Sequence, residues 1–268
     1  MADSSTDYWY PTAAYLYALH LDGPALAWEY LRRHPDYRRD WLRRARRPRA
    51  ARQAAQRWGL RLLEDPALDA RDAHPLWFPD HHGVQLYPDA DLLPGAVLFK
   101  LWRIPGEKYL IHDGTRLVLW VRWPGYCLRL AIAPGLADGM AYVFALRVGA
   151  APLARAQAPM LELNQRVLAG DAVSMAAVRP RPKLSALQEL HTLQALDATL
   201  AGASLREVAE GLFGTAVVAS DWHADSAVRA RVRRLVRRGE ALMRGGYRRL
   251  VQLPMSEQGR SSSYAKRP

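Results

Sequence analysis

Residues 228–250 read VRARVRRLVRRGEALMRGGYRRL, and this stretch decides how the carboxyl-terminal part of the chain folds. It contains nine arginines and a single acidic residue, Glu240, so its net charge is +8. When the stretch is wound as a helix, its apolar residues fall within one sector roughly 120° wide, the width of a stripe that faces a protein core. The stripe consists of Val228, Val232, Leu235, Val236, Gly239, Leu242 and Met243. The pattern predicts one amphipathic helix with a packed apolar face and an open cationic face.

Arginines fill the rest of this helical surface. Opposite the stripe lie Arg229, Arg233, Arg237 and Arg244, with Arg234 and Arg238 beside them. Asp225 and Ser226 are suitable start residues, because their short polar side chains cap free backbone N–H groups. Gly245 and Gly246 are suitable residues to end the helix.

Two shorter helices are predicted just before the basic one. Leu187, Leu190, Leu193, Leu196 and Leu200 form one helical stripe that ends at Gly202. Ser204 and Glu207 form an S-x-x-E capping box for a second helix, which stops at Gly214. This order of helices is typical of a helix-turn-helix, except that twelve residues, 214–225, replace the usual turn of about three or four. We expect Val217, Val218 and Trp222 to pack this long turn onto the core.

The positive charge of the chain is concentrated in two zones. The formal net charge of the 268 residues is +12. Residues 32–61 contribute +10 and residues 228–250 contribute +8, so the remainder has a net charge of −6. Such concentration favours a polyanionic partner. For residues 32–61 three interpretations stay open: a second DNA contact, an arginine-rich arm of the RNA-binding kind, or a surface for an acidic protein.

The other parts of the chain predict an α+β fold. Residues 11–62 show helical patterns broken by turns, with Pro35 at a first helical position. Apolar and β-branched runs then predict a small antiparallel sheet of about four strands, with a hairpin turn at Asp113 and Gly114. The runs cover residues 96–104, 108–123, 126–133 and 140–148. The predicted domains are a helical amino-terminal domain (7–75), an antiparallel β region with a helical linker (83–183), an extended-turn helix-turn-helix (184–253) and a disordered tail (254–268).

Several classes of protein are disfavoured by composition. The single cysteine, Cys127, excludes an internal disulfide framework and thiolate zinc clusters, and we expect it to be buried in a strand. No apolar run approaches the roughly 20 residues that cross a bilayer, and the amino terminus lacks the order of a signal peptide. The basic helix lacks Trp or Phe in its stripe, which disfavours a helix lying on a membrane. We therefore predict a cytoplasmic bacterial protein that does not bind a membrane.

Signals for enzymatic or ligand chemistry are weak. The chain contains no phosphate-binding loop, no G-x-G-x-x-G and no H-E-x-x-H. Asp80, His81 and His82 could chelate a metal, but no second pair of ligands follows at a useful spacing. The sequence therefore predicts no enzyme, no metal, no cofactor and no small-molecule ligand.

Two segments resemble a known family of regulators. Residues 195–214, ALDATLAGASLREVAEGLFG, and residues 221–250 resemble a proteobacterial carboxyl-terminal domain, formerly of unknown function, that is an extended-turn helix-turn-helix. Residues 27–41, AWEYLRRHPDYRRDW, resemble the transcriptional-regulator-like amino-terminal domain often joined to it. The resemblance covers about residues 7–50 and 185–250. Proteins with both domains resemble transcriptional activators of the excision and transfer of integrative and conjugative elements.

The resemblance implies specific site residues. DNA would be bound by Arg229, Arg233, Arg234, Arg237 and Arg238, with Arg206 and His223 as further candidates. By docking geometry, Ser226, Arg229 and Arg233 lie at the helix end that reads base edges. Residues between the domains, or toward a partner protein, would be Trp28, Tyr30, Arg32, Arg33, Tyr37 and Trp41.

The hypothesis is a DNA-binding transcriptional regulator that activates excision and transfer genes of a mobile element. Its partners would be double-stranded DNA, RNA polymerase and an acidic antiactivator paralogue. Two alternatives stay open: a protein-binding antiactivator or adaptor, and a plasmid replication or partition factor that binds DNA.

Overall fold

A computed structural model describes residues 9–46, 48–78, 84–91, 94–114, 116–123, 126–145, 168, 182 and 184–252. Two compact units are present. The first draws its described residues from Met1–Ala54, Glu64–Ala73 and Leu184–Pro268, and the second from Ala55–Leu63 and His74–Lys183. Helices at both ends of the sequence and a sheet between them confirm the predicted α+β class.

The amino-terminal helices follow the predicted punctuation. A 3-10 helix (Thr12–His20) precedes α1 (Gly23–Leu31), α2 (Pro35–Arg43), a 3-10 turn (Arg44–Arg46) and α3 (Pro48–Trp58). Asp22 caps α1 by accepting a hydrogen bond from the Ala25 N–H at 2.8 Å. Pro35 stands at the first position of α2, as predicted, where its missing N–H costs nothing.

The carboxyl-terminal part of the first unit contains four helices. They are α4 (Leu184–Leu200), α5 (Leu205–Phe213), α6 (Thr215–Asp221) and α7 (Ala227–Met243), followed by a 3-10 turn (Gly246–Arg249). The capping box is confirmed, since Ser204 and Glu207 exchange hydrogen bonds at 3.3 and 2.7 Å. Gly214, with φ of 87°, ends α5 in a conformation that favours glycine. The predicted long turn therefore contains a short helix, α6, which the sequence pattern did not reveal.

The apolar stripe of α7 faces the core of the first unit. α4 packs against α7, against α5 and against the Thr12–His20 helix. The shared core consists of Trp9, Ala195, Ala198, Val208, Ala209, Val218, Val232 and Leu235. Trp222 packs beside this core, whereas Val217 is exposed, so the expectation for Val217 was wrong. α6 turns that side chain outward because only one side of so short a helix meets the core.

Gly239 marks the closest approach of α7 to α4. A Cβ atom on Gly239 would lie 3.0 Å from the Leu196 Cβ and 3.2 Å from the Thr192 carbonyl oxygen. These distances are at the limit of van der Waals contact, and one neighbour is backbone, which cannot move independently of its helix. A glycine inside a helix costs about 1 kcal/mol relative to alanine. Here it allows two helices to pack backbone to backbone.

The second unit is built on a five-stranded sheet with the order β2-β3-β4-β1-β5. The strands are β1 (Val84–Pro88), β2 (Glu107–His112), β3 (Leu117–Trp123), β4 (Tyr126–Ile132) and β5 (Tyr142–Ala145). The β2–β3 hairpin at Asp113 and Gly114 is confirmed by the pairing of His112 with Leu117. β1, however, pairs parallel to β4. The prediction of a purely antiparallel sheet of about four strands is therefore corrected to a mixed sheet of five.

The difference between the predicted and observed strands arises in the amino-terminal part of the predicted β region. β1 is short, ends in Pro88 and is flanked by polar residues, so it did not show a strand pattern. Residues 96–104 did show one, but the structure gives them only an isolated bridge between Leu98 and Ala141 and a 3-10 turn (Leu101–Arg103).

Apolar groups cover both faces of the sheet. On one face Leu119, Val121, Leu128 and Leu130 pack in the main core of this unit. On the other face Val118 and Trp120 pack with Leu76. Burial of both faces explains why β3 and β4 appear as continuous apolar runs. Cys127, expected to be buried, is half-buried beside this second cluster.

Some predictions fall outside the described residues. These are the helical linker predicted after the sheet within residues 83–183, apart from Leu168 and Pro182, the tail predicted for 254–268, and Asp80, His81 and His82.

We predict that Gly239→Val destabilises the protein by about 1–3 kcal/mol, the usual cost of overpacking a core. The new side chain must displace Leu196 or the backbone of α4. Ala241→Val, at an exposed position of the same helix, is the control and should cost only a few tenths of a kcal/mol through helix propensity. Urea unfolding of both variants measures the difference, and equal unfolding midpoints would contradict close packing at Gly239.

Candidate nucleic-acid interface

The exposed face of α7 is an array of guanidinium groups on a firmly supported helix. Arg233, Arg234 and Arg237 are exposed, and among the described residues none of them has a carboxylate partner. Ser226 caps the start of the helix by accepting a hydrogen bond from the Arg229 N–H at 3.0 Å. Because the opposite face is buried, these arginines project from a helix whose orientation is set by the core.

Arg244 extends this array beyond the end of α7. Its side chain is exposed, and its N–H bonds the carbonyl oxygens of Glu240 and Leu242, which places it at the carboxyl-terminal cap of the helix. We call the four residues Arg233, Arg234, Arg237 and Arg244 the α7 arginine surface.

Arg229 and Arg231 lie closer to the core than these four. Arg229, in the first turn, is half-buried. Arg231 is exposed, but its guanidinium lies 4.9 Å from the Phe213 ring centroid, over α5. The exposed arginine surface of α7 therefore begins at Arg233, in the second turn of the helix. Arg229, in the first turn, contributes only a half-buried side chain.

Arg238 differs from the other predicted DNA-contacting arginines. Its guanidinium forms an ion pair with Glu189 of α4, and the Tyr30 hydroxyl donates to the other oxygen of the same carboxylate at 2.8 Å. Arg238 lies at the edge of the arginine face, next to the apolar stripe, from where its long side chain reaches the neighbouring helix. Arg238 therefore links α7 to α4, and its contact with DNA stays a prediction.

Ser226 is likewise occupied within the protein. It is 2% exposed, and its hydroxyl is the capping group of α7. A capping oxygen must face the helix backbone, so it points away from any ligand. The expectation that Ser226 contacts a base edge is contradicted by this burial.

The two weaker candidates flank α7. Arg206, on α5, is exposed and pairs with Glu210 at 3.1 Å. His223, between α6 and α7, is exposed, and its Nε2 lies 3.4 Å from an Asp221 carboxylate oxygen. Both side chains are accessible to a ligand.

The aromatic residues expected between domains or toward a partner are mostly buried. Trp28, Tyr30 and Tyr37 are fully buried. The Trp28 indole N–H donates to the Leu68 carbonyl at 3.0 Å, and the Tyr37 hydroxyl donates to the Glu64 carbonyl at 2.7 Å. Trp28 and Tyr37 therefore hold residues 64–73 in the first unit. Tyr30 instead donates to Glu189 of α4, a contact between the predicted amino- and carboxyl-terminal domains. None of the three buried rings offers an exposed surface to another protein.

Trp41 is the exception in this set. It is half-buried, and the Arg44 guanidinium lies over its ring, 3.1 Å from the ring centroid. An arginine stacked in this way shields the ring from solvent. Trp41 therefore does not offer a free aromatic face.

Arg33 is the centre of a buried charge network that joins distant parts of the chain. Its Nε and Nη2 donate to the two oxygens of Asp197 on α4, at 2.6 and 2.7 Å. Its Nη1 donates to Glu29, which also accepts from the Arg32 Nε at 2.8 Å. The Tyr15 hydroxyl donates to Asp197 at 2.8 Å.

The network keeps its carboxylates ionised. Burial by itself would raise the pKa of Glu29, but Arg33 and Arg32 outweigh it and hold this pKa below the ordinary value. Burial likewise opposes ionisation of Asp197, whereas Arg33 and the hydrogen bond from Tyr15 lower its pKa. Arg32 and Arg33, which the sequence placed in the basic zone at residues 32–61, are thus neutralised inside the protein.

Three residues of this network, Tyr15, Glu29 and Asp197, were not identified from the sequence, and neither was Glu189, the partner of Arg238. The one available signal was that Glu189 and Asp197 are acidic residues within a leucine-rich helix. Arg33 and Asp197 are separated by 164 positions, and a single sequence does not reveal pairing over such a distance.

The described ranges contain neither a cluster of metal ligands nor a membrane-spanning helix. No group of three or more His, Cys, Asp or Glu side chains in these ranges is arranged to hold a metal ion. Likewise, no helix there combines the length and apolar character needed to cross a membrane.

We predict that Asp197→Asn lowers the free energy of unfolding at pH 7 by about 3–5 kcal/mol, the usual cost of removing one partner of a buried ion pair. Because the folded protein lowers the pKa of Asp197, its stabilisation is complete above the ordinary value of 3.8 and is lost as pH falls through the folded value. The difference in free energy of unfolding between wild type and variant should therefore become smaller below about pH 4.

Chemical unfolding at pH 7 and pH 3 measures this difference. Asp36→Asn, which removes an exposed pair with Arg39, is the control and should change stability by less than about 1 kcal/mol. If the loss of unfolding free energy in Asp197→Asn is the same at both pH values, the charge of Asp197 does not contribute to stability.

Comparison with known protein families relates these regions to regulators. Residues 145–252 match a family model described as "T6SS, Transcription factor, DNA binding domain". Residues 8–62 match one described as "Proteobacterial transcriptional regulator-like domain". Residues 81–128, in the second unit, match a domain of unknown function. No curated protein matches the chain. The α7 arginine surface thus lies in a region similar to DNA-binding domains, and the chain as a whole has the features of a DNA-binding regulator.

Proposed function

We propose that this protein regulates transcription by inserting the exposed face of α7 into the major groove of duplex DNA. The observation that supports the proposal is the α7 arginine surface, whose four guanidiniums have no carboxylate partner among the described residues. An α-helix fits the major groove, and an arginine fork matches phosphate oxygens and the guanine edge. We treat α4, α5 and α7 as an extended-turn helix-turn-helix, with α6 inside the extended turn.

The arginines would divide between two tasks. Phosphate contacts supply most of the affinity, and each neutralised phosphate adds about 0.9 to the salt dependence of binding. Base edges are read by the residues near the start of a recognition helix. We therefore assign base reading to Arg229 and Arg233, and phosphate contacts to Arg234 and Arg237, with Arg206 and His223 at the edges of the site.

The apolar face of α7 would position these contacts. Val232 and Leu235 are buried in the core of the first unit, and Gly239 lies against α4. The ion pair of Arg238 with Glu189 adds a polar link between the same two helices. A recognition helix held along its length loses little conformational freedom on binding, which favours affinity.

We further propose that the protein is an activator of excision and transfer genes on a mobile element, acting in the cytoplasm with RNA polymerase. This finer role follows from the resemblance of residues 7–50 and 185–250 to such activators, together with the basic character of α7. The domain boundaries 7–75, 83–183, 184–253 and 254–268 are part of the same proposal. An acidic antiactivator paralogue would be a further partner.

Reversing the charge at two positions of α7 should weaken DNA binding. We expect Arg233→Glu combined with Arg237→Glu to weaken binding to a duplex of about 30 base pairs, roughly three helical turns. The salt dependence should fall by about 0.9, which corresponds to the lost phosphate contact of Arg237. Fluorescence anisotropy with labelled DNA at several salt concentrations measures both quantities.

Arg103→Glu is the matched control for Arg233→Glu alone, because Arg103 is exposed, lies outside α7 and gives the same change in net charge. A wild-type protein that binds no duplex but captures an acidic paralogue would instead support the adaptor alternative.

Regulation itself requires a separate experiment. We expect transcription from a promoter next to a DNA site selected by the protein to rise when the wild-type protein is expressed, and to stay at its basal level with the double α7 variant. A reporter gene measures this response. A fall in transcription would identify a repressor, and selected sites confined to a replication origin would favour the replication or partition alternative.

A further inference from the structure

The structure separates the arginines of residues 32–61 into two groups with different roles. Arg32 and Arg33 are buried and pair with Glu29 and Asp197. Arg39 pairs with Asp36, and Arg44 covers Trp41. Arg38 is exposed and donates to the Arg32 carbonyl at 3.0 Å. From the end of α2 onward, four more arginines are exposed and have no carboxylate partner in the ranges that the structure describes. They are Arg43, Arg46, Arg49 and Arg52, which we call the α2–α3 arginine surface.

These arginines follow one another along the end of α2, the 3-10 turn and α3. Arg43 is the last residue of α2, Arg46 ends the 3-10 turn, and Arg49 lies in the first turn of α3. Arg52 follows one turn later, so the four recur every three residues. Among the described residues of 32–61, the acidic ones are Asp36 and Asp40 of α2, and none lies in α3. Positive charge therefore predominates along this stretch of the sequence.

The chemistry of the open face of α3 favours a phosphate backbone over a protein surface. Arg49, Arg52, Gln53 and Gln56 are all exposed and recur at the spacing of one helical face. The face thus offers hydrogen-bond donors and amides, with alanines between them. Protein interfaces rely on large apolar or aromatic anchors at their centre. Along the described part of residues 43–57, every exposed side chain is small or polar.

We propose that the α2–α3 arginine surface is a second DNA contact, which grips the phosphates of the duplex without reading its sequence. The inference rests on the proposed function, since it assumes that α7 binds the same duplex. Both arginine surfaces belong to the first compact unit. Guanidiniums bind phosphate oxygens through paired hydrogen bonds, which suits a contact that must be strong but indifferent to the bases. α7 then supplies specificity, and the second surface supplies affinity.

The proposal is tested by replacing Arg43, Arg46, Arg49 and Arg52 together with glutamine. Glutamine keeps the helix propensity and most of the side-chain length but removes the charge. Anisotropy titrations over a series of salt concentrations use two labelled duplexes, one with a site selected by the wild-type protein and one with that site scrambled. Four lost phosphate contacts should lower the salt dependence by about 3.6 on both duplexes. The ratio of the two dissociation constants should stay the same, because phosphate contacts do not discriminate between sequences.

Two control variants accompany this measurement. Gln53→Ala with Gln56→Ala alters the same face of α3 without changing its charge and should therefore keep the wild-type salt dependence on both duplexes. Replacement of the same four arginines with lysine keeps the charge and should restore most of the salt dependence. An unchanged urea unfolding midpoint for the glutamine variant shows that any loss of binding does not come from unfolding.

The outcomes separate this inference from the proposed function. An unchanged salt dependence in the glutamine variant, with binding lost in Arg233→Glu plus Arg237→Glu, overturns the second contact and leaves the function of α7 intact. A loss confined to the selected site also overturns it, because the surface would then read bases. If the α7 variant binds both duplexes as wild type does, the proposed function fails. Loss of capture of an acidic protein, with DNA binding unchanged, identifies the α2–α3 arginine surface as a protein contact instead.

Discussion

The first unit depends on one buried interaction, the paired hydrogen bonds from Arg33 to Asp197. A guanidinium that is almost fully removed from water is costly unless its charge is balanced, and Asp197 on one side and Glu29 on the other provide that balance. The pair joins the segment just after α1 to α4, which begins more than a hundred residues later. Both proposed DNA contacts are therefore on a single compact unit although their sequences are far apart.

Pairing with internal carboxylates also determines which arginines are available at the surface. The chain has a large excess of arginine, but a count of charges does not distinguish an arginine that neutralises an internal carboxylate from one that meets solvent. Arg33 belongs to the first class, and Arg238 spans both because it reaches back to Glu189. Arg233 and Arg237 belong to the second class. The surface that could meet DNA is thus smaller and more sharply bounded than the basic zones of the sequence.

α4 is the element through which the unit is assembled. One part of its surface packs against α7 at Gly239. On another part, Glu189 accepts a hydrogen bond from Tyr30 of α1. Asp197 accepts from Arg33, which lies just after α1. A change that displaces α4 would therefore act on the amino-terminal helices and on the basic helix together.

Local sequence patterns determined the features that depend on near neighbours. The apolar stripe of α7, the Ser204–Glu207 capping box and the hairpin at Asp113 and Gly114 each involve residues only a few positions apart, so spacing alone predicted them. Tertiary structure decided the rest. The parallel pairing of β1 with β4, the burial of Ser226 and the network of Arg33, Glu29 and Asp197 all depend on segments that meet only in the folded chain. A single sequence records which side chains can pair, but the choice among many possible partners is made by packing, which brings one carboxylate and one guanidinium together and excludes the water that would otherwise separate them.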